Sequence, residues 1–379
     1  MQISSLSLSA FRNYTQLALR DMPAGLIAFT GANGAGKTNI LEAISLLSPG
    51  RGLRNAEASE LQSRNTPHTQ MGWSIHARLG GEYGQQDLGI GIDPMTGKRL
   101  TRLNGETLKN STDRGELFTA IWLTPAQDRL FLDAAGSRRR FLDRWVFTAD
   151  PAHAGRISRM ERLLSERNRL LSLTAPDPIW LDALEQDLSE TAIAVAIARN
   201  DYVAQLSNEL ATADDTYHFP RPTLRLSGFL EDRIGIEPSL AIETDYRTML
   251  VRNRARDAAI GATTIGAHRS DLLVGYAAKN MPAHACSTGE QKALLFSLFL
   301  AHTRLLARKL GTPPVLLLDE IAAHLDPDRR TALLAELSTL GAQTFMTATT
   351  ADCFAQTPAV HIVAINNGSL TKPSHLKVI

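Results

Sequence analysis

The chain has 379 residues, 44% of them hydrophobic and 21% charged, with a formal net charge of +1. That is enough apolar material for a sizeable core and two lobes, and the even charge balance means that a polyanionic partner would have to be met by local clusters. Its two cysteines, Cys286 and Cys353, are too few for a disulfide framework or a four-ligand zinc site. No apolar run approaches a membrane span, and MQISSLSLSAFRNY at the N-terminus lacks the basic-then-apolar order of a secretion signal. The expectation is a soluble protein of the reducing cytoplasm, with no membrane partner and nothing to be cleaved off.

Residues 3 to 30 alternate as strands do, and Leu26 to Thr30 runs straight into GANGAGKTN at Gly31 to Asn39, after which a helix is predicted over Lys37 to Leu47. From Gly72 to Leu108 the pattern is again β, with a tight turn at Asn104-Gly105, so this part is a meander and not a βαβ unit. Past Pro151 the spacing turns helical at Ile157, Met160, Leu164 and Leu171, is broken by APDP at Ala175 to Pro178, and resumes with a seven-residue repeat at Leu181, Leu188, Val195 and Tyr202. Such a helical hairpin either packs on a core or projects as an arm; so few heptads fit both. Strand texture returns at Thr223 to Leu230, a helix is predicted near Pro238 to Asp257, and the last hundred residues alternate helix and strand.

Three short segments carry chemistry. In the first, Gly31, Ala32, Asn33, Gly34, Ala35 and Gly36 form a loop whose N–H groups can point at phosphate oxygens; Lys37 adds a positive charge near the β and γ phosphates, and Thr38 offers a hydroxyl to Mg²⁺. The second is PVLLLDE: an apolar strand ending in Asp319, suited to holding Mg²⁺ through its water shell, and Glu320, suited to polarising an attacking water. The expected ligands are therefore ATP and Mg²⁺. The third, STGEQ at Ser287 to Gln291, has capping-box spacing between Ser287 and Glu290 and starts a helix predicted to run to Lys309. By itself it is a helix cap. Placed just before the strand that ends in Asp-Glu, it resembles the ABC-type signature motif, and AHLD at Ala323 to Asp326 stands where the D-loop follows.

The resemblance implies that Ser287, Gly289 and Glu290 complete the nucleotide site of a second copy, so an ATP-dependent homodimer is expected. From Thr38 to Ser287 is 249 positions, more than transporter ATPases use and without the long heptad arrays of SMC-type proteins. A short arm in that interval resembles the RecF family of bacterial recombination mediators. FRNY at Phe11 to Tyr14, RRRFLD at Arg138 to Asp143 and TTIGAHRSD at Thr263 to Asp271 agree with it, although the last departs from the family's GPHRDD at Ala267 and Ser270. FMTATT at Phe345 to Thr350 also lacks the histidine that transporters place after this strand.

The fold class that follows is α/β: an ABC-type P-loop ATPase head, residues 1–114 and 261–379, with a mainly helical lobe inserted at 115–260. The resemblance implies weak, DNA-dependent ATP hydrolysis acting as a switch. It also implies binding of single- and double-stranded DNA at gaps or junctions in recombinational repair and replication restart, help in loading RecA, and RecR and RecO as partners. A structural SMC-like clamp without turnover and a transporter ATPase subunit are the alternatives. From Arg138 to Arg169 nine arginines face four acids, a run that is either a solvated helix face or a backbone-reading DNA surface, with Arg138, Arg139, Arg140 and Arg159 the candidate contacts. His268 reads as a hydrogen-bonding residue and not a metal ligand.

Overall fold

A computed structural model describes residues 2–63, 72–81, 84–93, 95–108, 115, 117–212, 219–320, 325–354, 360–366 and 369–370. In chain order it begins with β1 (Gln2–Phe11), β2 (Tyr14–Leu19) and β3 (Leu26–Thr30), then α1 (Lys37–Leu47). A meander follows: β4 (Ser74–Gly81), β5 (Gly84–Ile92), β6 (Arg99–Leu103) and β7 (Glu106–Thr107), with β8 (Ala120–Leu123) after it. Next come α2 (Ala135–Ala149), α3 (Ala152–Leu171), α4 (Pro178–Ala211), β9 (Pro222–Ser227), α5 (Ser239–Arg252) and α6 (Arg254–Ile260). The remainder is β10 (Asp271–Tyr276), β11 (Met281–Pro282), α7 (Thr288–Leu310), β12 (Val315–Leu318), α8 (Pro327–Thr339), β13 (Thr344–Ala348), β14 (Val360–Asn366) and β15 (Ser369–Leu370).

The chain divides into two compact units, Met1–Asp128 with Leu306–Ile379, and Arg129–Leu305. The joins expected from sequence lie elsewhere, at 114/115 and 260/261. β8 falls in the first unit because it pairs in parallel with β12, Leu123 opposite Leu318.

The first unit has two sheets. One is an antiparallel meander in the order β2-β1-β4-β5-β6-β7; the other, β15-β14-β3-β13-β12-β8, is parallel except for β15. α1 is packed among their apolar faces: Ile40, Leu41, Ile44 and Leu47 share one core with Leu6, Leu8 and Ile75 of the meander and with Phe29, Leu317 and Phe345 of the parallel sheet. From Ile40 to Leu47 the helix is buried all round, and its two polar residues there are satisfied: Glu42 by Arg12 and Arg54, and Ser45 by the Glu42 carbonyl. The two ends of the chain are tied by Gln343, whose side chain accepts the Ile3 N–H at 2.7 Å and donates to the Ile3 carbonyl at 2.9 Å. At the predicted hairpin, Asn104 and Gly105 both take positive φ, 51° and 89°, as a two-residue turn between β6 and β7 demands.

In the second unit α3 and α4 form the helical hairpin, and α4 is buried from Leu181 to Leu210 along its inward stripe. Met160, Leu164, Leu188 and Val195 share a core with Ile242, Tyr246 and Leu250 of α5. Asp177 caps α4, accepting the Ile179 N–H at 2.9 Å, with Pro178 in the first turn. Two elements differ from expectation. The strand predicted to Leu230 stops at Ser227, where Gly228 leads into a turn closed by the Gly228 N–H donating to Asp232 at 3.0 Å. The helix predicted over 238–257 is two helices, broken at Asn253. Among the described residues no helix is long and apolar enough to cross a membrane.

Candidate functional site

In a parallel sheet the strand ends on one side gather the loops, and here β3, β12 and β13 are neighbours there. β3 delivers the glycine loop. Gly31, Gly34 and Gly36 hold φ of 149°, 82° and 108°, and the crown Ala32, Asn33 and Gly34 is exposed while Ala35 to Lys37 are buried. A side chain at Gly36 would collide with Asn13 and Tyr14, since a Cβ there would lie 2.5 Å and 2.6 Å from their polar atoms. Lys37, 4% exposed, folds its Nζ back inside the loop to donate to the carbonyls of Gly31 (2.6 Å) and Ala32 (2.9 Å). No side chain caps the first turn of α1, and the Asn39 and Ile40 N–H groups close onto the Gly36 carbonyl at 2.9 and 3.3 Å.

β12 and β13 supply the acids and their support. Thr38 Oγ1 donates to Asp319 Oδ1 at 2.9 Å; Thr347 Oγ1 donates to the same oxygen at 2.8 Å and accepts the Glu320 N–H at 2.8 Å. Thus Thr38, Asp319 and Glu320, 281 positions apart in the case of the first pair, lie within one chain of hydrogen bonds. Of the threonines in FMTATT, Thr347 is the buried one, whereas Thr349 and Thr350 are exposed at the strand end.

Sequence reasoning did not foresee what FRNY does. Asn13 donates to the Ala35 carbonyl at 3.2 Å and accepts from Asn39 at 2.7 Å, while the Tyr14 hydroxyl donates to the Gly36 carbonyl at 3.1 Å. Burial holds that phenol well above its ordinary pKa, so it stays a donor. Arg12 forks onto Glu42 of α1 with bonds of 2.8 and 2.6 Å, and Arg54 joins the same carboxylate at 2.9 Å. The β1–β2 corner is therefore a cradle for the glycine loop. At the end of β8, Gln127 turns back to accept the Thr124 N–H at 2.7 Å and its hydroxyl at 2.8 Å, closing the turn that follows the strand.

Ser287, Gly289 and Glu290 belong to the second unit. Ser287, Thr288 and Gly289 are exposed at the start of α7. Glu290 accepts both the Ser287 N–H (2.9 Å) and its hydroxyl (2.8 Å), and Lys279 makes an ion pair with it; Lys279 and the Ser287 N–H together hold its carboxyl down at about 2. Ala323 and His324 of AHLD lie outside the described residues; Asp326 caps α8 by accepting the Arg329 N–H at 2.9 Å.

The arginine run is sorted by its partners. Arg138 forks onto Asp271 with two bonds of 2.8 Å, and Arg139 donates to the Ser270 carbonyl. Arg140 is exposed and reaches Ser137 at 3.2 Å; Arg159 is exposed and pairs with Asp187 at 3.1 Å. Asp143 meets Arg199 with bonds of 2.7 and 2.8 Å and His153 at 2.9 Å; burial pushes its carboxyl up, but those bonds outweigh it and the pKa is lowered. Arg199 also donates to the Ala267 carbonyl at 2.6 Å and to Ser270 Oγ at 3.1 Å, which places both departures from GPHRDD in this buried frame. His268 bonds the Thr263 carbonyl at 2.9 Å, and burial depresses its pKa.

The family described as RecF/RecN/SMC N terminal domain matches residues 2–371. The DNA replication and repair protein RecF of Mesorhizobium japonicum is 46% identical over 354 residues, 93% of this chain and 92% of that protein. That of Rhizobium rhizogenes is 45% identical over 373 residues, 98% of each. A solved structure of the recombination mediator protein RecF-ATPrS in the RecFOR pathway superposes with a TM-score of 0.87, covering 98% of both chains at 22% identity, a likeness of fold. A glycine loop cradled by FRNY, an Asp-Glu strand beside it, and near half identity across nearly the whole length lead to one assignment: the chain belongs to the RecF family, with the ABC ATPase head fold of that family and of SMC proteins.

Proposed function

We propose that this chain is a cytoplasmic, ATP-dependent DNA-binding protein of recombinational repair and replication restart. In this reading ATP closes two copies on each other at a DNA gap or a single-strand to double-strand junction, and hydrolysis opens them. The observation that carries it is the hydrogen-bonded chain from Thr38 through Asp319 and Thr347 to Glu320, set beside the glycine loop.

The loop N–H groups from Gly31 to Thr38 and the Lys37 ammonium would take the β and γ phosphates. A hydroxyl and a carboxylate 2.9 Å apart form a donor set of hard oxygens, suited to Mg²⁺, which keeps several waters and binds through few protein groups. Among the described residues no cluster of three or more His, Cys, Asp or Glu competes as a metal site. When bound, Mg²⁺ neutralises charge on the phosphate oxygens. Glu320 takes the proton of the attacking water as its oxygen bonds the γ phosphorus and the bridging bond to ADP breaks. Ser287, Gly289 and Glu290 would face the nucleotide held by the second copy. In this reading RecR and RecO are the partners and the loading of RecA is the outcome. Hydrolysis is weak and serves as a switch.

Binding of gapped, single-stranded and duplex DNA should be measured without nucleotide, with ADP, with ATP and with a non-hydrolysable analogue. Tight binding in the ATP and analogue states only, with a slow ATP turnover that DNA stimulates, is the expected result. Equal affinity in all four states overturns the reading, and closure without turnover would leave a structural clamp.

A further inference from the structure

Thr347 lies in β13 with no exposed surface, and its hydroxyl is used twice. It donates its one proton to Asp319 Oδ1 and uses a lone pair to accept the Glu320 N–H, each at 2.8 Å. The register of the parallel pair makes this possible: Leu318 stands opposite Met346, so the next residue of each strand is brought alongside the other. The accepted bond falls on a backbone that needs it. Glu320 has φ of 53°, in the left-handed region that a residue with a side chain keeps only when its surroundings fix it. Thr347 thus fixes two groups with one atom: the carboxylate of Asp319, which also receives the Thr38 hydroxyl, and the main chain from which the Glu320 side chain departs.

We infer that Thr347 is a positioning residue for hydrolysis, locking Asp319 and Glu320 into one unit so that the groups addressed to metal and water keep a fixed separation. This rests on the ATPase reading above. The hydroxyl is committed to Asp319 and to the Glu320 main chain; its effect belongs to the rate and not to affinity, because the phosphate grip comes from the glycine loop and Lys37.

Three variants test it: Thr347→Val keeps the shape and removes both bonds, Thr347→Ser keeps both, and Glu320→Gln marks the loss of the base. Single-turnover ATP hydrolysis, binding of a fluorescent ATP analogue and sedimentation with ATP are read for each. The expected result for Thr347→Val is a rate at least about tenfold lower, since small misplacements of reacting groups cost that much or more, and analogue affinity within about threefold of the parent. Its ATP-stabilised dimer should persist as in Glu320→Gln, and Thr347→Ser should return the parent's rate. If the valine variant does not accumulate folded, Thr347→Ala carries the same readout. Hydrolysis at the parent rate in Thr347→Val, or rate and affinity falling together, overturns the inference while leaving the ATPase reading in place. Parent turnover in Glu320→Gln instead overturns that reading, and the inference with it.

Discussion

The guanidinium of Arg138 and the carboxylate of Asp271 meet through two hydrogen bonds of 2.8 Å, joining RRRFLD to TTIGAHRSD across 133 positions. Their side chains are 16% and 21% exposed, and the arginine also donates to the Asp133 carbonyl. A forked, half-buried pair of this kind holds structure. Arg138→Ala should destabilise the protein by about 1–3 kcal/mol, because Asp271 is left without its partner. Arg140→Ala, at an exposed position, should stay within about 0.5 kcal/mol of the parent. Urea unfolding checks both, and an Arg138→Ala variant as stable as the parent would show the pair to be idle.

The same sorting sharpens the expectation for DNA. Arg140 and Arg159 project from the surface, so replacing both with alanine should weaken binding about equally for all sequences in the ATP state. For every arginine that pairs with a phosphate, its removal should lower the log-log salt slope by roughly 0.7 to 0.9. Arg139, bonded to the Ser270 carbonyl and pushed down in pKa by burial and by Arg199, would have to leave that bond to reach a phosphate. An unaltered slope in the double variant would make the run a solvated face and place the grip elsewhere.

The reason the arginine run could not be divided from sequence is visible at Arg167. It falls on the stripe Met160, Leu164, Arg167, Leu171, where the spacing demands a core residue, and it is 0% exposed. There it donates to Glu185 (2.9 Å), Asp257 (2.7 Å), Thr263 (2.8 Å) and the Leu250 carbonyl (2.8 Å). Glu185 likewise sits one turn after Leu181 on the inward stripe of α4. The stripe position is legible; the partner is not, because it lies on another element. The conformations of the glycine loop and of the strand before Asp319 were legible because each is encoded locally, in glycines that take positive φ and in an unbroken apolar run. The cradle of Asn13 and Tyr14 was not, since a strand corner meets the loop only through the stacking of α1 between two sheets.

That cradle gives a third expectation. Gly36 holds φ of 108° with Asn13 and Tyr14 where a Cβ would go, so Gly36→Ala should distort the loop and abolish nucleotide binding. Tyr14→Phe removes one hydrogen bond and little volume. It should raise the ATP dissociation constant by a factor of about 3–10, the equivalent of about 1 kcal/mol. Equilibrium binding of a fluorescent analogue decides, and parent affinity in Gly36→Ala would mean that the loop is not the phosphate site.

Glu290 gives a pH dependence. Its carboxyl is held at about 2 by Lys279 and the Ser287 N–H, below its unfolded value near 4.5. A depressed acid contributes stability that is complete above the unfolded pKa and is lost as pH falls through the folded one. The advantage of the parent over Glu290→Gln should therefore be full at pH 7, shrink from about pH 4.5 downward and vanish near pH 2. Because its partner Lys279 is exposed and the pair is open to solvent, the advantage is small. Thermal midpoints of the two proteins across that range measure it, and a constant difference would mean that the capping carboxylate does not depend on its charge.

The exposure of Ser287 and Gly289 at the head of α7 separates two roles for STGEQ. As a cap, the motif acts within its own helix: Ser287 and Glu290 satisfy each other, and a substitution at Ser287 costs only about 1 kcal/mol of stability. As part of a partner's nucleotide site, the same hydroxyl must approach phosphate closely, and a large cation there obstructs closure. Ser287→Arg should accordingly leave the ATP affinity of the monomer near the parent's, since Lys37 and the glycine loop are untouched, while removing the ATP-dependent dimer in sedimentation. Lys37→Ala should do the damage in the reverse order, losing ATP binding first and the dimer as a consequence. Mixing the two variants discriminates further. A Ser287→Arg copy retains an intact loop and a Lys37→Ala copy an intact signature, so together they rebuild one complete composite site, and a weak ATP-dependent heterodimer should form. A Ser287→Arg homodimer with the parent's stability in ATP would return the motif to its role as a helix cap.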